Sequence, residues 1–196
     1  MYEASFLGGH VAFCARGALP ILTPVTAPAY FFSLLTRQLA FGEEMFLRRY
    51  PNSWLVWEAG GTPGHLSDVS SSVLETGVAP TRKSSPRPGT GDPLCFALKD
   101  DGEPLRLGRA LDNELVIAEP SVSRLHAHLE QWASEWYLVP ISQKRATLLA
   151  GRVADPGERL KLASGVALEL GGVKLSFYDS KDFKALVSRV PLRSSR

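Results

Sequence analysis

The sequence has little cysteine, no long apolar run and no strong net charge. Only two cysteines, Cys14 and Cys95, occur in 196 residues. They form no CxxC motif, so neither a metal site nor a disulfide framework is expected. No apolar run reaches the roughly 18 residues that a membrane-spanning helix needs. The net charge of +2 is too small to indicate a nucleic-acid or membrane-surface protein.

The signatures of common enzymes are also missing. The glycine-rich segments contain no Gly-Lys-Ser/Thr and no Gly-x-Gly-x-x-Gly after a strand, so no nucleotide cofactor is expected. His10 and Cys14 are four residues apart, but no neighbouring motif supports a catalytic pair. The four histidines have no second ligand at a useful spacing, so no metal is expected. We therefore predict a protein that is not an enzyme, with no catalytic residue and no cofactor.

The beginning of the sequence does not have the pattern of a secretory leader. Glu3 stands where a basic residue is wanted, and Arg16 interrupts the first apolar stretch. Two reduced and buried thiols are typical of a cytoplasmic protein. We expect a cytoplasmic location and no insertion into a membrane.

Composition divides the sequence into four segments. Residues 1–75 are apolar and partly helical, with a short strand or aromatic anchor at 54–57. The best helix candidate lies within 28–50, where Gly42 disfavours one unbroken helix. Residues 76–92 are rich in Pro, Gly, Ser and Thr, which predicts a flexible linker. Residues 93–182 are strand-like, and residues 183–196 form the rest of a short helix and a basic tail.

Short apolar stretches alternate with turn residues throughout the third segment. This spacing predicts a mainly β chain folded as an antiparallel sandwich. The predicted strands are Cys95–Leu98, Leu105–Gly108, Glu114–Ile117, Ala127–Trp132, Trp136–Val139, Ala146–Leu149, Leu160–Leu162, Val166–Leu170 and Val173–Phe177. A terminal helix is predicted over Asp182–Val187.

Two motifs place cations and a hydroxyl on loops at one end of this sandwich. Leu107-Gly108-Arg109 ends a strand, and Ser123-Arg124-Leu125-His126 follows about a dozen residues later. An arginine offers a planar fork of donors, and a serine hydroxyl adds charge-assisted hydrogen bonds, which suits a phosphate. With the closing Leu160-x-Leu162-x-x-Gly165-x-x-Leu168-x-Leu170-Gly171, this region resembles the forkhead-associated (FHA) domain.

The FHA resemblance implies an FHA-type sandwich over about residues 93–180 that reads phosphothreonine peptides. It implies that Arg109 and Ser123 contact the phosphate and that Arg124, on the same loop, adds its N–H or its charge. His126 is implied to brace the loops, and Gly108 to allow a close turn into the site.

The resemblance breaks down in one later loop. Counted back from Gly151, Thr147 keeps the family's threonine, whereas the family's two asparagines become Arg145 and Ala150. An asparagine amide both donates and accepts, but an arginine only donates. Either Lys144 and Arg145 still serve a phosphate with an altered peptide preference, or the site binds partners without phosphate.

We therefore predict a signalling adaptor whose partner is a phosphothreonine-containing protein. The alternative is a phosphate-independent scaffold or subunit of a protein complex, with the aromatic amino-terminal half as contact surface. Binding to nucleic acid would rest only on the tail residues Arg189, Arg193 and Arg196, and we do not expect it. The sequence does not indicate an oligomeric state.

Overall fold

The computed structural model describes residues 27–58, 88, 91–99 and 102–189, which form two stacked β-sheets with three helices. The seven-stranded sheet has the order β1-β3-β2-β12-β11-β8-β9, and the five-stranded sheet has the order β10-β7-β6-β4-β5. The strands are β1 Ala29–Phe31, β2 Ser53–Trp57, β3 Leu94–Leu98, β4 Leu105–Gly108, β5 Leu115–Val116, β6 Ala127–Trp132, β7 Glu135–Pro140, β8 Thr147–Leu149, β9 Arg152–Ala154, β10 Leu160–Lys161, β11 Ala167–Leu170 and β12 Val173–Tyr178.

All strand pairs are antiparallel except β4 with β5, which is parallel. The alternation of apolar and polar residues buries one face of most strands, as in β7, where Trp136, Leu138 and Pro140 point inward. Side chains from both sheets form one core that includes Leu55, Leu107, Leu129, Leu138 and Leu170. The predicted β-sandwich is confirmed.

Three helices contribute to a second core on the outer face of the seven-stranded sheet. They are α1 Phe32–Ala40, α2 Glu43–Arg49 and α3 Ser180–Ser188. Trp54 of β2 is fully buried there and stacks on Phe183 of α3, with ring centroids 4.3 Å apart. The sheet core strands β2 and β3 are consequently apolar on both faces, which explains their unbroken apolar sequences.

Helix α1 takes its amino-terminal cap from a distant residue. No side chain of its own first turn caps it. Instead the carboxylate of Asp92 accepts hydrogen bonds from the backbone N–H of Ser33 at 3.0 Å and from its hydroxyl at 2.7 Å. A carboxylate there also complements the positive end of the helix. This contact ties α1 to the approach to β3.

The helical stretch predicted within residues 28–50 is present, and it is divided at the glycine that disfavoured one unbroken helix. The structure has β1 at its start and two short helices separated at Phe41 and Gly42, where Gly42 has a φ of 142°. That backbone conformation is open only to glycine and ends the helix. The stretch 54–57 is confirmed as a strand. Strand β9 was not predicted, because its three residues are too few to show an alternation of apolar and polar side chains.

Strands of the amino-terminal segment belong to the same sandwich as the later strands. β2 lies between β3 and β12 and pairs with both. The predicted segment boundaries at residues 75, 92 and 182 remain predictions. The sandwich already includes β1 and β2 of the first segment, and α3 runs across the boundary at residue 182. Cys14 and most of the linker 76–92 lie outside the described residues, whereas Cys95 is a buried free thiol.

Candidate functional site

The site is built where β4 ends and its loop meets a second loop. Just after Gly108, the Arg109 N–H donates to the Ser123 carbonyl at 2.9 Å, and the Ala110 N–H donates to the Arg124 carbonyl at 3.1 Å. These two bonds hold the Gly-Arg and Ser-Arg segments side by side. The two predicted phosphate ligands therefore start from one shared backbone frame.

A buried asparagine and a glycine keep this junction tight. The Asn113 side-chain amide donates to the Ala110 carbonyl at 2.8 Å and to the Arg124 carbonyl at 2.7 Å. A side chain at Gly108 would overlap the Arg124 carbonyl and touch the Asn113 amide. Gly108 is thus needed for close backbone approach, whereas the resemblance implied a close turn.

A third loop joins the first two through a pair of serines. The hydroxyl oxygen of Ser142 lies 2.7 Å from that of Ser123. The Arg145 N–H donates to the Ser142 hydroxyl at 3.1 Å, and the N–H groups of Ile141 and Ser142 both donate to the His126 carbonyl. The loop that carries Arg145 is therefore connected to the loop that carries Ser123.

His126 lies fully buried beneath this junction. Its Nδ1 accepts the Ser123 N–H at 3.1 Å, so the ring proton belongs on Nε2, which lies 3.1 Å from the Thr147 hydroxyl oxygen. Burial lowers the pKa of His126 below its usual value. The neutral imidazole thus holds Ser123 on one side and β8 on the other.

Above this frame lies an open groove of about 820 Å³. Four exposed cationic side chains, two hydroxyls and several apolar side chains line it. They are Arg109, Pro120, Val122, Ser123, Arg124, Leu125, Ile141, Ser142, Gln143, Lys144 and Arg145. No carboxylate belongs to this lining. Within the described part of the chain, none of the four cations forms an ion pair.

The structure brings together all five side chains predicted to bind a phosphopeptide, namely Arg109, Ser123, Arg124, Lys144 and Arg145. Of the predicted supporting residues, Gly108, His126 and Thr147 lie beneath the groove. Gly151 does not, because it lies in the turn between β8 and β9, at the far end of β8 from the groove. The binding roles themselves remain predictions.

Sequence reasoning missed three residues that hold the loops. Ser142 and Asn113 were assigned no role, since no pattern shows which loop hydroxyl or amide will face another loop. Gly171 was noted only as part of a closing motif. It has a φ of 57°, its N–H donates to the Ala146 carbonyl at 2.9 Å, and a side chain there would overlap the Ser121 carbonyl. The adjacent glycines at 171 and 172 were the sequence signal that could have revealed this role.

Among the described residues, no group of three or more His, Cys, Asp or Glu side chains could hold a metal ion. None of the helices described here is long and apolar enough to cross a membrane.

Comparison with known families gives a match over part of the chain. Residues 105–171 match the sequence profile of the FHA domain, so the resemblance inferred from the motifs is confirmed. The match covers β4 to the turn after β11, which includes every residue that lines the groove. No protein of curated function matches the sequence.

Solved FHA domains are similar to this chain over part of its length. The amino-terminal FHA domain of S. cerevisiae Rad53p, solved with a phosphothreonine peptide, is 16% identical with a TM-score of 0.41, covering 47% of this chain and 89% of its own. The FHA domain of Chlamydia trachomatis CT664 is 17% identical with a TM-score of 0.44, covering 65% and 97%. An Arabidopsis thaliana FHA domain is 25% identical with a TM-score of 0.40, covering 45% and 75%.

Proposed function

We propose that the FHA domain of this chain binds phosphothreonine-containing segments of a partner protein and that the chain acts as a signalling adaptor. The observation that carries the proposal is the placement of Arg109 and Ser123 in one groove. The 2.9 Å bond from the Arg109 N–H to the Ser123 carbonyl fixes their spacing before any ligand arrives. A preformed site loses less entropy on binding than one that must be ordered.

The chemistry of the groove suits a phosphate dianion. The Arg109 guanidinium supplies a planar pair of donors, and the Ser123 hydroxyl supplies a third. The Arg124 guanidinium lies in the same lining and adds charge. Each hydrogen bond between charged partners contributes about 1.5–3 kcal/mol, so losing Arg109 removes a large part of the affinity.

The proposal includes a binding role without catalysis. The groove has cations and hydroxyls but no carboxylate or imidazole in its lining that could move a proton. We place the protein in the cytoplasm, where thiols such as that of Cys95 stay reduced. The kinase and the partner protein are left to experiment.

The direct test is capture of a degenerate peptide library with a fixed central phosphothreonine, with the unphosphorylated library as control. We expect selective capture of the phosphorylated library by the full chain and its loss in Arg109→Ala. Arg37→Ala is the matched control, because Arg37 is an exposed arginine on α1 outside the groove. Equal capture by Arg109→Ala at unchanged thermal stability would overturn the assignment.

A phosphate-independent scaffold is the second candidate, and two observations favour it. Arg145 stands where the family has an asparagine and offers only donors to a peptide backbone. Phe41, just before α2, and Met45, within it, are 79% and 68% exposed, and large exposed apolar side chains are typical of interfaces. Partner capture that is indifferent to phosphate and lost in Phe41→Ser would favour this candidate.

A further inference from the structure

The groove carries more positive charge than one phosphate neutralises. Its four cations give a charge of +4 with no carboxylate in the lining, whereas a phosphothreonine brings about −1.5 to −2. Among the described residues, none of the four side chains has an ion-pair partner. A singly phosphorylated ligand leaves about half of this charge without a counter-charge.

The excess charge has a defined position. Arg109 and Arg124 belong to the two loops that meet at Ser123. Lys144 and Arg145 belong to the third loop, which the contact between Ser123 and Ser142 joins to the other two. The contact between the two serines thus joins the loops that carry the two pairs of cations, and a phosphate bound at Arg109 and Ser123 leaves the second pair available.

The same loop carries a donor-only side chain at position 145. An asparagine at position 145 would donate to and accept from a main chain, but Arg145 only donates. Ala150, at the other asparagine position, is in the turn at the far end of β8. Arg145 therefore favours a ligand group that supplies acceptor oxygens.

From this arrangement we infer that the preferred ligand is a peptide phosphorylated twice, with a second phosphate close to the phosphothreonine and bound by Lys144 and Arg145. This inference rests on the proposed function and names its substrate class. The first phosphate takes Arg109, Ser123 and Arg124. The second supplies acceptor oxygens for the donor groups of Lys144 and Arg145.

The test compares fluorescently labelled peptide libraries on the full chain by anisotropy. All libraries share a neutral degenerate background and a central phosphothreonine. One set adds a phosphoserine at each of three positions on either side, a second set places glutamate there, and a third adds nothing. We expect at least one phosphoserine position to bind about tenfold more tightly than phosphothreonine alone, with a smaller gain from glutamate and a steeper loss with salt.

Charge-removing variants assign the gain to the third loop. In Lys144→Gln/Arg145→Gln the advantage of the second phosphate should fall to about threefold or less. The loss of two charges from the groove weakens both libraries, so the ratio of their affinities is the quantity that reports the second site. Lys174→Gln is the matched control, because Lys174 is exposed on β12 outside the groove. An unchanged advantage in the double variant would overturn the assignment.

The outcomes separate this inference from the proposed function. If the library with phosphothreonine alone is captured and no second phosphate improves binding, the inferred preference for a doubly phosphorylated peptide is wrong. The proposed binding of phosphothreonine is then unaffected. If no phosphorylated library is captured, the proposed function fails as well. Equal gains from glutamate and phosphoserine, or equal competition by a single-stranded oligonucleotide of the same charge, would show a general preference for acidic ligands and overturn the inference.

Discussion

The hydroxyl oxygens of Ser123 and Ser142 lie 2.7 Å apart, which joins two loops that are separated by 19 residues. Ser142 also accepts the Arg145 N–H. A single hydroxyl thus fixes both the candidate phosphate ligand Ser123 and the backbone of the cationic loop. This places Ser142 as a positioning residue whose effect on binding should exceed its effect on folding.

We expect Ser142→Ala to weaken capture of the phosphothreonine library while leaving the fold intact. One net hydrogen bond contributes about 1 kcal/mol, which corresponds to about fivefold in affinity. Ser142→Thr, which retains the hydroxyl, should recover most of the binding. Affinity measured by anisotropy beside the midpoint of urea unfolding separates the two effects.

The control for this experiment is Ser188→Ala. Ser188 donates from its hydroxyl to the Lys184 carbonyl within α3, outside the groove. A fall in stability without a fall in affinity in Ser142→Ala would mean that the serine pair only holds the loops together and does not orient Ser123.

Local sequence patterns predicted most strands but not their neighbours. The extents of β4 and β6 were predicted to the residue, because alternation and flanking turn residues are local signals. The insertion of β2 between β3 and β12 was not predicted. Such pairing depends on which apolar edges meet in the folded chain, and Trp54 gives no sign of its partner Phe183.

The candidate site shows the same difference between local patterns, which the sequence reveals, and contacts between distant segments, which it does not. Arg109 and Ser123 were found because their motifs resemble the FHA domain. Asn113 and Ser142 act only through contacts between loops, so the hydrogen-bond partner of each is absent from its own neighbourhood in the sequence. Gly151 was assigned to the supporting set from the motif alone, and only the run of β8 shows that it lies away from the groove.

Gly108→Ala should disrupt the site through backbone displacement. The new methyl group would overlap the Arg124 carbonyl and crowd the Asn113 amide, and forced repacking of this kind costs about 1–3 kcal/mol. We expect lower stability and a loss of phosphothreonine capture that exceeds what the unfolded fraction explains. Affinity measured well below the unfolding midpoint tests this.

Gly157→Ala supplies the comparison for Gly108. Gly157 has a φ of 84° with open space around its Cα, so alanine there introduces backbone strain without a steric overlap. Its variant should lose stability but keep its affinity. Unchanged capture by Gly108→Ala would contradict the claim that close approach of β4 and the serine loop shapes the groove.

Acid should destabilise the fold through His126. The Nδ1 of His126 accepts the Ser123 N–H. A protonated Nδ1 is itself a donor, so protonation would break this hydrogen bond and place two N–H groups face to face. Burial lowers the pKa of His126 in the folded state, so the unfolded chain takes up the proton first as pH falls. This contribution to stability is full above about pH 6.5, the usual histidine pKa, and is lost as pH falls from there toward the folded-state pKa.

Urea unfolding from pH 8 to pH 5 checks this expectation. His126→Asn keeps a polar atom near the position of Nδ1 but cannot titrate, so it should lose about 1–3 kcal/mol at neutral pH and show a weaker decline with acid. His128→Gln is the control, because His128 is a half-buried residue on β6. An identical acid slope in wild type and His126→Asn would exclude His126 as the source.

Ala150 is a point of backbone strain that a substitution should relieve. It has a φ of 50° and precedes Gly151 at 79° in the two-residue turn between β8 and β9. These values fit the type I′ turn that favours Asn-Gly, which gives a physical reason for the asparagine of the family pattern at this position. In this conformation any residue other than glycine or asparagine lowers the free energy of unfolding by about 1 kcal/mol.

We therefore expect Ala150→Gly to raise the free energy of unfolding by about 0.5 kcal/mol or less, because relief of about 1 kcal/mol of strain is offset by about 0.4–1 kcal/mol of added freedom in the unfolded chain. Ala150→Asn, which adds no such freedom, should raise it by a similar or larger amount. Ala163→Gly is the control at a residue whose φ is not positive, where the added freedom of the unfolded chain should lower stability by about 0.4–1 kcal/mol. Because the turn lies away from the groove, phosphothreonine capture should be unchanged in all three variants. Destabilisation of both Ala150 variants would mean that the Ala150 methyl group makes a packing contribution larger than the backbone strain.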